Sequence, residues 1–463
     1  MAQVGQARVV TIETPELGDR SHLVHDGRDA VVIDPQRDID RVLEAASAAA
    51  VRIVCVAETH LHNDYVSGGR ELAARTGAEH VLGGAEEVAF QARAAHEADE
   101  IPVGELHLRV LATPGHTPCH VAYALLERGR PVAVFTGGSL LYGTVGRTDL
   151  AGPDRTAGLT RDQHRSARRL VAELHDDVDV HPTHGFGSFC SSAPPSGAGN
   201  STIGAERKDN LALQIDEEDT FAATLLSGLT AYPSYYAHMG ALNRAGPAAI
   251  DLSPPARVGP AGLRRRIEAG EWVVDLRPRR AFAASHVRGT VGVELGTSFS
   301  TYLGWVLPWG TPVTLVGDTA GDVARAQRDL ARIGIDRPAG MAVGGPQAVG
   351  DGSLGRYPVS DFPGLAATSE ERAGAGEEPV PVLDVRRDDE WAAGHLAGAT
   401  HIPLHQLEAG LGRVPGGEVW VHCASGFRAS IAASLLDRAG RPVVLIDDDW
   451  DRAAGAGLTV VRP

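Results

Sequence analysis

The stretch VVDLRPRRAFAASHVRGT, residues 273–290, recurs without gaps as VLDVRRDDEWAAGHLAGA, residues 382–399. Both copies preserve a strand, an acidic turn, an aromatic residue, a histidine and a glycine. Downstream, TPVTLVGDTAGDVARAQRDLARIG (311–334) matches EVWVHCASGFRASIAASLLDRAG (418–440) over a buried strand, a tight loop and an amphipathic helix. A period of about 106 to 109 residues makes each repeat one α/β unit of roughly 100 residues. Outward from the pair, proline-containing segments near 251–260 and 362–380 read as linkers. The expected domains are 1–252, 258–358 and 373–463.

The N-terminal region is also mixed α and β. ARVVTIE, SHLVH and DAVVIDP read as strands, IDRVLEAASAAA as a helix, and RIVCVAETH, ELHLRVLATPGHT, HVAYALLE and VAVFTGG as further strands. Histidines and acids fall just past the strand ends, where layered α/β folds place their sites. GSFCSSAPPSGAGNSTIG (187–204) reads as a long loop, and DEEDTFAATLLSGL has helical periodicity.

Composition removes several functions. A chain of 463 residues exceeds one hydrophobic core, which supports two or three domains. Lys and Arg total 43 against 59 Asp and Glu, a formal charge of -16, which opposes nucleic acid and anionic lipid as partners. No apolar run approaches the roughly 20 residues that span a bilayer, so no membrane association is expected. The start, MAQVGQARVVTIETPELGDR, lacks the basic and apolar regions of a secretory signal, and a cytoplasmic location is expected. Cys55, Cys119, Cys190 and Cys423 are widely spaced without a CxxC, unlike a disulfide scaffold or a zinc knuckle. Oligomeric state, including a homo-oligomer, is left open.

One cysteine sits in a reactive context. The strand VWVH ends at Cys423, and CASGFR (423–428) leads into the helical run ASIAASLLDRAG. Unpaired backbone N–H groups of Ala424, Ser425, Gly426 and Phe427 at a helix entry, with the helix dipole and Arg428, would stabilise a thiolate or persulfide anion. This loop and the upstream DVRRDDEWAAGHLAGA resemble the rhodanese sulfurtransferases. The resemblance implies that Cys423, with Arg428, carries a sulfane sulfur as a persulfide. Four residues separate Cys from Arg, whereas phosphatase loops have five and cradle a larger anion. In the first repeat Gly317 stands at the Cys423 position and Asp322 at the Arg428 position, so that copy is expected to be silent and to pack against or orient its sibling. Glu390 and His395 are expected to fix the geometry of the turn.

A second constellation lies near the N-terminus. ETHLHNDYVSGG (58–69) places His60, His62 and Asp64 after a strand, and His116 in TPGHT and His184 in HPTHG follow others. Imidazole and carboxylate in this grouping suit one zinc or iron ion. Order and spacing resemble the metallo-β-lactamase fold, and FTGGSLLYGTVGRTDL with PTHGFGSFC is similar to its persulfide dioxygenase and hydroxyacylglutathione hydrolase branch. The resemblance implies an αββα sandwich, followed here by two rhodanese-like α/β domains, and a low-molecular-weight persulfide or thiol substrate such as glutathione persulfide. Two positions depart from the pattern: Tyr65 stands where HxHxDH has its last histidine, and Gly138 where TGD has its carboxylate. The expected remainder is a mononuclear site of His60, His62 and His116, with Asp64 and His184 facing the vacated neighbour. Cys119, Cys190 and the segment AYPSYYAHMG (231–240) read as structural.

Three functions follow. The leading expectation is a sulfurtransferase working through Cys423, with an N-terminal domain that binds or processes the persulfide. The second is an iron-dependent persulfide dioxygenase making sulfite; the third is a non-catalytic sulfur-binding module. A thioesterase is weaker, because loss of the bridging acid impairs a dinuclear water-activating centre.

Overall fold

Strict alternation along the strands decides what the first part of the chain buries. In Asp29–Ile33, Val31 and Ile33 join one core while Ala30 and Val32 join another. In Val121–Glu127, Val121, Tyr123 and Leu125 face one side and Ala122 and Ala124 the other. Both faces of each sheet are therefore covered. A computed structural model of the chain describes residues 2–4, 7–192, 197 and 199–462. It divides into two compact units, Met1–Asp251 with Ala331–Gly334, and Leu252–Leu330 with Ile335–Pro463.

The first unit holds a seven-stranded sheet in sequence order, from Ala2–Val4 to Arg93–Ala95, antiparallel up to Asp29–Ile33 and parallel beyond it. A six-stranded sheet runs Ser201–Thr202, Asp179–Pro182, Arg130–Gly137, Val121–Glu127, Leu106–Ala112, Glu100–Val103. Val31, Ile33, Ala57 and Val81 of the first meet Leu108, Val110, Tyr123 and Phe135 of the second in one dry core. Outside, Val42 and Ala46 of helix Asp40–Ala48 and Leu72 of helix Gly69–Thr76 cover the first sheet. Ala167, Leu170 and Val171 of helix Pro153–Glu173 and Phe221 and Leu225 of helix Glu218–Gly228 cover the second. This is the αββα sandwich expected from the sequence. Of the expected loop 187–204, residues 193–196 and 198 lie outside the described residues.

The second unit holds two parallel sheets. One has four strands in the order Val291–Gly292, Trp272–Asp275, Val313–Gly317, Gly340–Val343. The other has five in the order Val359–Ser360, Val443–Ile446, Val419–His422, Val382–Asp384, Thr400–His401. Register fixes the equivalence of the repeats: Asp275 pairs with Val316 and Asp384 with His422, so the next residues, Gly317 and Cys423, correspond. Each copy also closes the same local ion pair, Asp275–Arg277 at 2.7 Å and Asp384–Arg386 at 2.6 Å.

One expected linker is not a linker. Residues 362–375 form helix Phe362–Ala375, because Asp361 caps it through Gly364 N–H at 2.8 Å, Pro363 sits in its first turn, and Phe362 and Leu365 are buried. The helix thus begins ahead of residue 373. Among the described residues no helix is long and apolar enough to cross a membrane.

Candidate functional site

The parallel strands of the first unit deliver their loops to one end. His60, His62, His116 and His184 are each 0% exposed, and Asp64 1%. His60, His116 and His184 can offer ring nitrogens that lie within 4.8 Å of one another, as can His62 and His184 with a carboxylate oxygen of Asp64. All five residues read from the sequence are therefore brought together. The grouping differs from the expectation in one respect: His184 belongs to both sets, whereas His62 groups with Asp64.

The hydrogen bonds assign the tautomers. Thr59 Oγ1 donates to Asp34 Oδ2 at 2.8 Å, so it accepts from His60 Nδ1 at 2.9 Å. His116 Nδ1 donates to the Arg147 carbonyl at 2.7 Å, and His184 Nδ1 to Asp19 at 2.9 Å. Each ring thus turns the lone pair of Nε2 inward, and the Nε2 atoms of His60 and His184 stand 3.2 Å apart. Two facing acceptors require a cation or a proton between them. Among the described residues, His116 Nε2, His62 Nδ1, Asp64 Oδ1 and Asp19 Oδ2 are buried without a hydrogen-bond partner. A buried pocket whose orphan atoms are all acceptors, with outer groups fixing each imidazole, fits a metal ion. These residues could hold one.

Charge follows the same pattern at His60, His116 and Asp34, whereas His184, and Asp19 through burial and the Asp64 charge, are shifted toward holding a proton. Burial and neighbouring histidines lower the pKa of His60, and burial with His184 holds His116 at about 3. Against burial, Asp64 and Asp19 raise His184. Burial also opposes the charge of Asp34, yet His62, Thr183 and the Thr59 N–H hold its pKa at about 2. A neutral imidazole and an ionised carboxylate are the forms that ligate and orient.

The two departures have physical consequences. Tyr65, fully buried, sets its hydroxyl 2.9 Å from His62 Nε2 and stacks on that ring. It occupies the histidine's second nitrogen. At Gly138 an added Cβ would stand 2.3 Å from His116 Cδ2, so the His116 ring fills the space that a side chain there would take.

Sequence reasoning missed Asp19, Asp34, Thr59 and His120. His120 stacks on His60 at 4.7 Å, donates toward Thr113 and accepts the Gly138 N–H at 3.0 Å. Its place four residues after His116 was a readable signal. Cys190 is fully buried, and burial raises its pKa, with Asp64 and Asp19 adding to it; Cys119 is half-buried and raised by burial. Tyr235 and Tyr236 are buried packing residues.

In the second unit, Cys423 ends strand Val419–His422 and is 1% exposed. Helix Phe427–Arg438 starts after Gly426, whose φ of 84° lies in the left-handed region. A Cβ on Gly426 would meet Asp447 Oδ1 at 2.2 Å, so only glycine lets the loop close here. Ala424 accepts from the Trp450 N–H at 2.8 Å, Ser425 is exposed, and Phe427 is half-buried. Arg428 is not a free clamp. Its two terminal nitrogens donate to Glu390 at 2.5 and 2.7 Å, and against burial this pairing holds the Glu390 pKa at about 2. A guanidinium only 8% exposed needs a counter-charge beside it, and the half-buried Glu390 supplies it.

In the first repeat a side chain at the Gly317 position would be crowded. A Cβ on Gly317 would lie 3.1 to 3.3 Å from Asp322, Thr319 and Val323, and Asp322 instead caps its own loop through the Thr319 N–H at 2.8 Å. It does support its sibling: Arg279 reaches Asp447 at 2.7 Å and the Ser425 carbonyl at 3.4 Å, and His286 reaches Asp437 at 3.0 Å.

Comparison with known proteins agrees with both halves. The metallo-beta-lactamase superfamily profile matches residues 17–184, and that of the rhodanese-like domain residues 368–455. A solved metallo-beta-lactamase from Staphylococcus aureus is 27% identical with a TM-score of 0.65, covering 73% of this chain and 99% of that one. The human mitochondrial persulfide dioxygenase ETHE1 is 26% identical over 249 residues, 52% of this chain and 81% of that protein. A hydroxyacylglutathione hydrolase from Rhodospirillum rubrum is 34% identical over 144 residues, 31% of this chain and 53% of that protein. The chain spans about half the length of that hydrolase. Taken with the geometry, these matches make the chain a fusion of a metallo-beta-lactamase domain with a C-terminal rhodanese-like domain.

Proposed function

We propose that the chain is a sulfurtransferase of persulfide metabolism, carrying sulfane sulfur on Cys423. One observation supports this above the others: the only cysteine at a strand-to-helix loop in the second unit sits beside a left-handed glycine and at the entrance of a twelve-residue helix. In the reaction, the Cys423 thiolate attacks the outer sulfur of a donor persulfide. A Cys423 Sγ–S bond forms as the donor S–S bond breaks, and the donor leaves as a thiolate. Loop N–H groups and the helix N-terminus stabilise the persulfide anion. Glu390 and Arg428 hold the loop and its charge in place. An acceptor thiolate then takes the outer sulfur and regenerates Cys423.

The histidine cluster supports a second activity on the same substrate class, persulfide oxidation to sulfite, as the named activity of the ETHE1 relative suggests. When bound, an iron ion would supply oxygen activation. His60, His116 and His184 would hold it, with Thr59, the Arg147 carbonyl and Asp19 fixing their rings, and Asp64 beside them.

The test uses purified full-length protein. Cys423→Ser should abolish sulfur transfer between a glutathione persulfide donor and a thiol acceptor; retained transfer refutes the assignment. Metal content and oxygen uptake on the same donor, compared with His60→Ala, test the second activity. No metal and no uptake in wild type would leave Cys423 as the catalytic centre.

A further inference from the structure

Resting on the proposed Cys423 carrier, we infer that Arg279 of the silent repeat is a positioning residue for the thiol loop, orienting the backbone donors that receive the sulfur anion. The two copies have exchanged charge at this place. Arg279 and Arg280 stand where the second copy has Asp388 and Asp389, and Ala281 stands where it has Glu390. The silent copy thus lacks the acid that pairs with Arg428 and carries two guanidinium groups in place of two carboxylates. Both are spent on the sibling. Arg279 donates from Nε to Asp447 Oδ1 at 2.7 Å and from one terminal nitrogen to Glu294 at 2.9 Å, while the other lies 3.4 Å from the Ser425 carbonyl oxygen. Arg280 donates from Nε to the second oxygen of Asp447 at 2.5 Å and makes no contact with the loop among the described residues.

Peptide geometry turns these contacts into orientation. A trans peptide unit is planar, with its N–H directed away from its C=O, and no peptide bond among the described residues is cis. The Ser425 carbonyl shares a unit with the Gly426 N–H, and the Ala424 carbonyl shares one with the Ser425 N–H. The Trp450 N–H holds the Ala424 oxygen at 2.8 Å, and Arg279 holds the Ser425 oxygen. Fixing both oxygens fixes both N–H groups on the opposite side. Neither N–H has a partner among the described residues, so both are left as donors for an anion. Arg279 also answers an adverse charge. Asp447, 5% exposed, packs so closely on Gly426 that a Cβ there would stand 2.2 Å from its Oδ1, and an unpaired carboxylate at that point would repel a thiolate or persulfide. The other groups facing Cys423 carry little free charge: Arg428 is paired with Glu390, burial keeps the Tyr302 phenol protonated, and burial keeps His422 neutral.

The experiment compares full-length wild type with Arg279→Ala, Arg279→Lys and Arg280→Ala, each checked for folding by its melting curve. The first readout is the ultraviolet absorbance of the Cys423 thiolate against pH, taken as the difference from Cys423→Ser, and it needs no sulfur donor. The second is the single-turnover rate of sulfur uptake on Cys423 from glutathione persulfide, read by mass spectrometry. Arg279→Ala should move the onset of thiolate absorbance to higher pH and slow uptake roughly tenfold, less than the loss on deleting a direct anion donor. Arg279→Lys keeps a charge beside Asp447 but not the fork that also reaches Ser425, so it should restore the titration more fully than the rate. Arg280→Ala, at a side chain 71% exposed, should stay within about twofold of wild type. Wild-type titration and uptake in Arg279→Ala, or an equal loss in Arg280→Ala, overturn the inference. If Arg279→Ala does not fold, Arg279→Lys decides, and wild-type uptake in that variant overturns it. Failure of wild type to take up sulfur refutes the carrier role instead, while the donor-free titration still decides whether Arg279 orders the loop.

Discussion

Restoring the acidic residue that the TGD pattern places at position 138 should harm this protein rather than repair it. In Gly138→Asp the new Cβ would lie 2.3 Å from His116 Cδ2 and 2.5 Å from Cγ, far inside contact distance. Moving the ring breaks its hydrogen bond. Its Nδ1 is bound to the Arg147 carbonyl at 2.7 Å, and the ring packs so near the Gly146 backbone that a Cβ added there would stand 2.6 Å from the same atom. Forced overpacking of this kind costs about 1 to 3 kcal/mol, and a carboxylate set among lone-pair acceptors adds to it in metal-free protein. For a unit of this size each kcal/mol moves the midpoint by roughly 2 to 4 °C, so the first unit should melt about 2 to 12 °C lower. Calorimetry on chelator-treated protein measures the packing cost apart from coordination, and elemental analysis then counts metal. With Tyr65 still bonded to His62 Nε2, the count should not rise to two ions. A variant that melts with wild type and binds two ions would refute the reasoning.

Further outcomes follow from the same geometry. Gly426→Ala puts a Cβ against Asp447 and a side chain at φ 84°, costing about 1 to 2 kcal/mol from the backbone alone, and should abolish sulfur uptake on Cys423 by mass spectrometry. Glu390→Gln should cost about 2 to 4 kcal/mol at pH 7 in urea unfolding, because it leaves Arg428 buried and unpaired. The Glu390 pKa is depressed on folding from 4.5 to about 2, so its stabilisation is present above pH 4.5 and is lost as pH falls through about 2. The variant should lose that slope, read from unfolding at pH 7 and pH 3. Zinc or iron at a hundredfold excess over its Kd should stabilise wild type by about 2.7 kcal/mol, seen as a higher melting temperature, and His116→Ala should lose most of that shift. Gly317→Cys should gain no persulfide, as the loop crowds the new side chain and Asp322, bonded to the Thr319 N–H, stands where the second repeat has Arg428.

The repeat was legible because strand, acidic turn and His-Gly recur in one register, and pairing of Asp275 with Val316 and Asp384 with His422 carries that alignment into space. The five metal-type residues were legible because each follows a strand. What escaped reading were partners that act only through distance: Asp19 and Asp34 resemble ordinary turn acids until the fold sets them against His184 and Thr59. Arg428 misled for the same reason, since a sequence does not show that Glu390, 38 residues earlier, is its counter-ion. The segment 362–380 read as a linker on its proline, though Asp361 before Phe362 and Pro363 is also a helix-start signal.

The Asp–Arg pair closed in both repeats, at Asp275 with Arg277 and at Asp384 with Arg386, separates architecture from chemistry. A duplicated unit that keeps its internal brace keeps its shape after its reactive side chain is gone. Freed from holding sulfur, such a copy can change its surface without risk to its fold.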